Sequence, residues 1–86
     1  MSVTEGVFKR FVQIDGSNAK KGHYCTLINI EIDGVETVVA FQGLICSSAE
    51  GRTVSCIIDK QKPERGDLLV SDIRDAETNK SYVTYR

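Results

Sequence analysis

An alternation of residues with a period of two, interrupted once by Asp33-Gly34, constrains this chain more than any other feature. From Tyr24 to Ile32 the even positions form an apolar face, with the polar Asn29 and Glu31 between them on the face expected to be in solvent, and from Val35 to Phe41 the odd positions continue the apolar face. Such alternation is typical of half-buried strands, and Asp-Gly between two alternating runs indicates a type I′ hairpin. A two-residue turn would pair Ile32 with Val35, Ile30 with Thr37, Ile28 with Val39 and Thr26 with Phe41, all on one face. The sequence therefore predicts a hairpin in this register, because a slip by one residue would destroy that agreement.

Further strands are predicted on both sides of this hairpin. They cover residues 7–14, 53–59, 68–73 and 81–85, and turn-rich segments separate them. No stretch of eleven residues shows a helical stripe, although Gly43–Gly51 has room for one turn. Short strands with turn signals every ~8–12 residues favour a small closed β-architecture. We expect an all-β fold, a five- to six-stranded OB-like barrel, with an SH3-like barrel or an antiparallel meander as alternatives.

The length of the chain limits its core. Its 86 residues fit a single domain spanning 1–86, and a domain of this size buries only about 60–65% of its unfolded surface. A thin core favours association, so we expect a homodimer.

No apolar run approaches the ~18 residues that a membrane-spanning helix needs, and we expect no membrane partner.

The cysteine and histidine content argues against metal and disulfide chemistry. Three cysteines without a C-x-x-C pair indicate reduced thiols and a cytoplasmic location, and one histidine cannot complete a zinc set at these spacings. No nucleophile, general base or phosphate-binding glycine loop is evident, so we expect neither an enzyme nor a cofactor. The acidic residues Asp72, Asp75 and Glu77 are interpreted as solvated turn residues.

The charge is unevenly distributed along a chain that is close to neutral overall. Residues 1–30 carry +2, residues 31–59 carry −4 and residues 60–86 carry +1. The segment Gly16–His23 reads as a glycine-containing basic loop that could embrace a phosphate backbone, and a second basic stretch follows residue 59. The sequence therefore predicts single-stranded nucleic-acid binding, with a tyrosine available for stacking. The candidate binding residues are Arg10, Lys20, Lys21, His23, Tyr24, Lys60, Lys62 and Arg65.

The segment Gly16-Ser17…Lys21-Gly22-His23-Tyr24, followed by a strand and a hairpin, resembles the single-stranded-DNA-binding proteins of filamentous bacteriophages. The resemblance covers about residues 14–44. Members of that family are OB-like dimers in which a basic loop leads into a tyrosine-bearing strand. The resemblance thus implies single-stranded DNA as the ligand and a homodimer as the working form.

A protein-interaction function is the alternative. A phage or mobile-element accessory protein could assemble through a dimer face or a sheet edge, and Val35–Phe41 is the strand that we expect to be available for pairing with a protein partner. The net charge of −1 is compatible with this alternative.

Overall fold

A computed structural model describes residues 2–18, 23–61 and 66–85 of the chain, with backbone only at 15–18, 23–25 and 85. These residues form seven strands and one short 3₁₀ turn at Ser47–Ala49. The strands are β1 (Ser2–Asn18), β2 (His23–Ile32), β3 (Val35–Gln42), β4 (Leu44–Ile45), β5 (Thr53–Ile58), β6 (Leu68–Asp75) and β7 (Val83–Tyr85). No α-helix occurs in the described ranges, which confirms the predicted all-β class.

Five of the strands close into a barrel in the order β1-β2-β3-β6-β5, and β5 returns to β1. The predicted small barrel is confirmed. All pairs in the barrel are antiparallel except β3 with β6, which run parallel over Val39–Phe41. A plain antiparallel meander is therefore excluded. The two remaining strands, β4 and β7, form a separate small antiparallel sheet.

The hairpin forms in the predicted register. Ile32 lies opposite Val35, and Ile28 lies opposite Val39. Both turn residues have positive φ, 52° at Asp33 and 77° at Gly34, as a type I′ turn requires. Glu31 and Glu36 also lie opposite each other, as the register predicts, and each is paired with a basic side chain of β1: Lys9 with Glu31 and Arg10 with Glu36.

The first strand is longer than the sequence pattern predicts. It runs from Ser2 to Asn18, with its first part paired to β5 and the rest paired to β2. Irregularities in its register, between Phe8 and Arg10 and again between Phe11 and Gln13, let one strand serve both neighbours. The predicted loop Gly16–His23 is therefore too long, because Asn18 and His23 are already paired with each other.

The core fills the barrel with side chains from all five of its strands. Four of its members come from β2 and β3, namely Ile28, Ile30, Val39 and Phe41, each at most 2% exposed. Phe8 of β1 is fully buried and packs edge-to-face on Phe11, with ring centroids 5.1 Å apart. Cys56 belongs to the same cluster, so this thiol is a small buried apolar group, as expected for a free cysteine.

The predicted solvated acidic turn is wrong for two of its three residues. Asp72 and Asp75 are each only 5% exposed. The Asp75 carboxylate accepts hydrogen bonds from the backbone N–H groups of Glu77 and Thr78 and from the Tyr82 hydroxyl. This network holds the segment after β6 against the barrel.

The predicted availability of Val35–Phe41 for pairing is also corrected. The strand β3 is paired with β2 along its length and with β6 over Val39–Phe41. Both backbone groups of Val38 are bonded to Asp67, its N–H to the carboxylate and its C=O to the Asp67 N–H. Closure of the barrel thus removes most of that edge.

Candidate functional site

The outside of the barrel over β2, β3 and β6 carries a patch of outward-facing side chains, several of which are buried. Alternation along each strand points one set of side chains inward, so their sequence neighbours face outward. Leu27, Asn29, Val38, Ala40 and Leu69 are these outward neighbours, and we call them the outer face. They are contiguous by register, since Leu27 lies opposite Ala40, Asn29 opposite Val38, and Ala40 beside Leu69.

Three outer-face residues are buried although they point away from the core. Leu27 is 8% exposed, Asn29 is 5% exposed and Ala40 is 3% exposed. The Asn29 carboxamide oxygen, Oδ1, is buried and has no hydrogen-bond partner among the described residues. A buried polar atom without a partner costs free energy, so this position requires an explanation.

A side chain of β1 and one of β3 meet across the outer face beside Asn29. Arg10 is the register partner of Asn29 on β1, and its guanidinium lies 3.9 Å from the carboxylate of Glu36 on β3. Because β2 separates β1 from β3, two strand spacings of about 4.8 Å lie between the two backbones. The Arg10 and Glu36 side chains together therefore span β2 beside Asn29.

The ion pair between Arg10 and Glu36 is open to solvent. The side chain of Arg10 is 61% exposed and that of Glu36 is 57% exposed. An exposed pair at this distance contributes at most about 1 kcal/mol to stability. The guanidinium is thus free to exchange Glu36 for another anion at little cost.

An open groove of about 240 Å³ lies further along β3. Leu69 of the outer face lines it, together with Gln42 at the end of β3 and Gln61 of the β5–β6 connection. Its lining includes one carboxylate, Asp59. Amide and aliphatic groups thus predominate along the described part of this groove.

The predicted binding residues are only partly within the described structure. Arg10 is exposed on the outer face, and Lys60 is exposed at the start of the β5–β6 connection. His23 and Tyr24 are the first two residues of β2, and their side chains are outside the description. Four predicted residues lie outside the described residues altogether: Lys20, Lys21, Lys62 and Arg65.

The strand connections nevertheless relate the two basic segments to one strand. The β1–β2 connection, residues 19–22, leads in sequence into β2, whose Cys25 lies opposite Gln42 at the end of β3. The β5–β6 connection, residues 59–67, returns beside the middle of β3, where Asp67 bonds Val38. Two segments about forty residues apart in sequence thus each lead into a strand that pairs with β3.

The thiols in the described part of the chain differ in environment. Burial raises the pKa of Cys56 to about 12, so this thiol stays protonated and unreactive. A hydrogen bond with the Ser48 hydroxyl, 3.1 Å away, lowers the pKa of the half-buried Cys46. Neither belongs to a metal-binding group: no cluster of three His, Cys, Asp or Glu side chains occurs within residues 2–14, 26–61 and 66–84. The same part of the chain holds no helix long and apolar enough to span a bilayer.

Sequence reasoning missed Asn29, which was read as one of the polar residues on a solvated strand face. The signal was present in its neighbours. Leu27 shares its face, and the hairpin register sets Val38 and Ala40 beside it. Three apolar residues around one amide indicate a covered face, and that pattern distinguishes Asn29 from the flanking Glu31.

Comparison with known protein families, curated proteins and solved structures finds no match to this chain.

Proposed function

We propose that the protein binds single-stranded nucleic acid without catalysing a reaction, using the outer face and the two basic connections beside it. One observation carries the proposal. Connection 19–22 joins β1 to β2 on one side of β3, and connection 59–67 joins β5 to β6 on the other. These two connections hold the cations Lys20, Lys21, Lys60, Lys62 and Arg65. A single-stranded nucleic acid lying across β3 would therefore meet cations from both connections.

The barrel topology supports this proposal. We propose that the barrel is OB-like, with β1, β2, β3, β5 and β6 as its five strands. OB-folds bind oligonucleotides on the face of their second and third strands, between the connection of the first two strands and that of the last two. The corresponding parts here are the outer face and connections 19–22 and 59–67. Cytoplasmic location is part of the proposal, in keeping with free thiols at Cys46 and Cys56.

Oligonucleotide binding by charge variants tests the proposal. Fluorescence anisotropy with labelled (dT)16 at low and high salt should show binding that weakens as salt increases, because released counterions contribute to the affinity. Lys21→Glu should weaken binding strongly, whereas Lys80→Glu, with the same change in net charge in the β6–β7 connection, should leave it nearly unchanged. Absence of binding at micromolar protein and low salt, or equal effects of both variants, would overturn the proposal.

Homodimerisation is a second proposal, and a specific observation favours it. Among the described residues no strand pairs with the second side of β1 beyond Phe8. Val12 and Ile14 on this stretch are 49% and 58% exposed. A second copy pairing along β1 would cover both side chains and satisfy the backbone groups of that edge.

Analytical ultracentrifugation tests the dimer. The wild-type protein should sediment as a concentration-dependent dimer, and Ile14→Lys should shift it toward the monomer, because a lysine would be buried in the contact. Val35→Lys is the matched control, since Val35 is 64% exposed at the hairpin turn and away from this edge. A wild-type monomer at high concentration would refute this arrangement.

A further inference from the structure

The unpartnered amide of Asn29 has an exposed arginine as its register partner on β1. Its Oδ1 is an acceptor without a donor in the described structure, and the side chains of Arg10 and Glu36, 3.9 Å apart, together span β2 at this point. Ile28 and Ile30, on either side of Asn29 in sequence, are fully buried in the core. The strand is therefore held by its core side chains, whereas the Arg10 side chain, 61% exposed, can change its position at little cost.

We propose that Asn29 and Arg10 form a nucleotide-recognition site, in which the Arg10 guanidinium exchanges Glu36 for a backbone phosphate and the Asn29 Oδ1 accepts a hydrogen bond from a base N–H. The inference rests on the proposed function and names the residues that contact the base. A guanidinium binds phosphate with paired, charge-assisted hydrogen bonds. A phosphodiester has no hydrogen-bond donor and an internal deoxyribose has no free hydroxyl, so in single-stranded DNA the ligand group that satisfies Asn29 is the base.

The apolar surroundings of Asn29 suit this role. Leu27, Val38 and Ala40 offer the base no competing hydrogen bond, so the amide supplies the polar contact in an otherwise apolar patch. An amide acceptor kept unpaired in the free protein is costly to the fold. The same atom gains its first hydrogen bond in the complex, which favours the bound state.

Opposite effects on stability and on affinity test the site. Asn29→Leu keeps the side-chain shape and removes the unpaired acceptor. We expect its Tm to rise by about 4–8 °C and its affinity for (dT)16 to fall about tenfold. With an oligonucleotide of the same length made of abasic nucleotides, which has phosphates and no bases, Asn29→Leu and wild type should bind equally.

Thr26→Val is the matched control on the same strand. Its hydroxyl points inward and donates to the Gly43 carbonyl at 2.6 Å, so its removal should lower Tm and leave both affinities unchanged.

A second pair of variants tests the exchange at Arg10. The affinity of Glu36→Gln for (dT)16 should be about two to five times that of Glu50→Gln. Both variants remove one negative charge, but only Glu36 is paired with Arg10.

Three results would overturn the inference: a lower Tm for Asn29→Leu, equal loss of affinity on both oligonucleotides, or unchanged affinity for (dT)16. If wild type binds (dT)16 and Lys21→Glu weakens it while Asn29→Leu does not, only the role of Asn29 fails. If wild type binds neither oligonucleotide, the proposed function fails as well.

Discussion

At the scale of single residues, Asp75 and Tyr82 show how one carboxylate joins the end of the chain to the barrel. The hydrogen bond from the Tyr82 hydroxyl, followed by those from the Thr78 and Glu77 N–H groups, lowers the pKa of Asp75. The same bond raises the pKa of Tyr82. Because the folded-state pKa of Asp75 is lowered, its stabilising contribution is present above pH ~4 and is lost as pH falls.

Tyr82→Phe tests this bond. The raised pKa of Tyr82 means that its contribution is present below pH ~10 and is lost as pH rises through the folded-state value. We expect Tyr82→Phe to lower the free energy of unfolding by about 1.5–3 kcal/mol at pH 7, because the bond is made to a charged carboxylate. Above pH 10 the difference from wild type should shrink.

Urea denaturation at pH 7 and at pH 10.5 measures both effects. Thr84→Val is the control, since its hydroxyl is exposed and bonds the Leu44 carbonyl. A difference between Tyr82→Phe and wild type that is the same at both pH values would contradict the proposed coupling.

The residues that the sequence pattern misassigned share one cause. Asp75 was read as a turn residue because its local sequence is polar, and its partner Tyr82 becomes a neighbour only when the chain folds back. Asn29 was read as solvated because alternation predicts which way a side chain points but not what lies above it. Arg10, the register partner of Asn29 on β1, is brought there by a strand pairing between segments distant in sequence.

At the scale of elements, local pairings were predictable and distant pairings were not. The hairpin of β2 and β3 followed from its own alternation and its Asp33-Gly34 turn. The length of β1 was not predictable, since its register irregularities break the alternation that would mark it. The parallel pair of β3 and β6 has no local signal, because paired residues such as Val39 and Leu68 are 29 positions apart in sequence.

Gly6 marks the point where β1 passes from one neighbour to the other. A Cβ at this position would lie 2.5 Å from the Ile30 side chain and 2.7 Å from the Glu31 carbonyl oxygen. Gly6→Ala must therefore push β1 away from β2 at the closure of the barrel, and we expect a loss of about 1–3 kcal/mol in the free energy of unfolding.

Gly51→Ala separates this steric effect from backbone strain. Gly51 has φ of 80° and open space around its Cα, so its substitution measures the cost of a left-handed alanine alone, about 1 kcal/mol. Urea denaturation compares the two variants. If the methyl group at Gly6 costs less than the one at Gly51, the close approach of β1 to β2 is not a constraint on the barrel.

At the scale of the whole molecule, a net charge of −1 conceals a separation of charge along the hairpin. The turn end carries Glu31, Asp33 and Glu36, whereas the opposite end adjoins the connection that contains Lys20 and Lys21. Ten residues of β2 at 3.2–3.4 Å each place these ends about 30 Å apart, well beyond the Debye length of about 8 Å at physiological salt. The acidic turn therefore does not cancel the attraction of the basic connection for a phosphate backbone.

The salt dependence of binding measures how many cations take part. The predicted cations are Arg10, Lys20, Lys21, Lys60, Lys62 and Arg65. If each neutralises one phosphate, the logarithm of the association constant for (dT)16 should fall with the logarithm of the salt concentration with a slope of about −4. Lys60→Ala should reduce that slope by about 0.7, while Asp33→Asn at the acidic turn should leave it unchanged. Anisotropy titrations of (dT)16 at four salt concentrations determine the slopes. A slope near zero for wild type, or an Asp33→Asn slope shifted as much as that of Lys60→Ala, would show that overall charge and not the two basic connections governs binding.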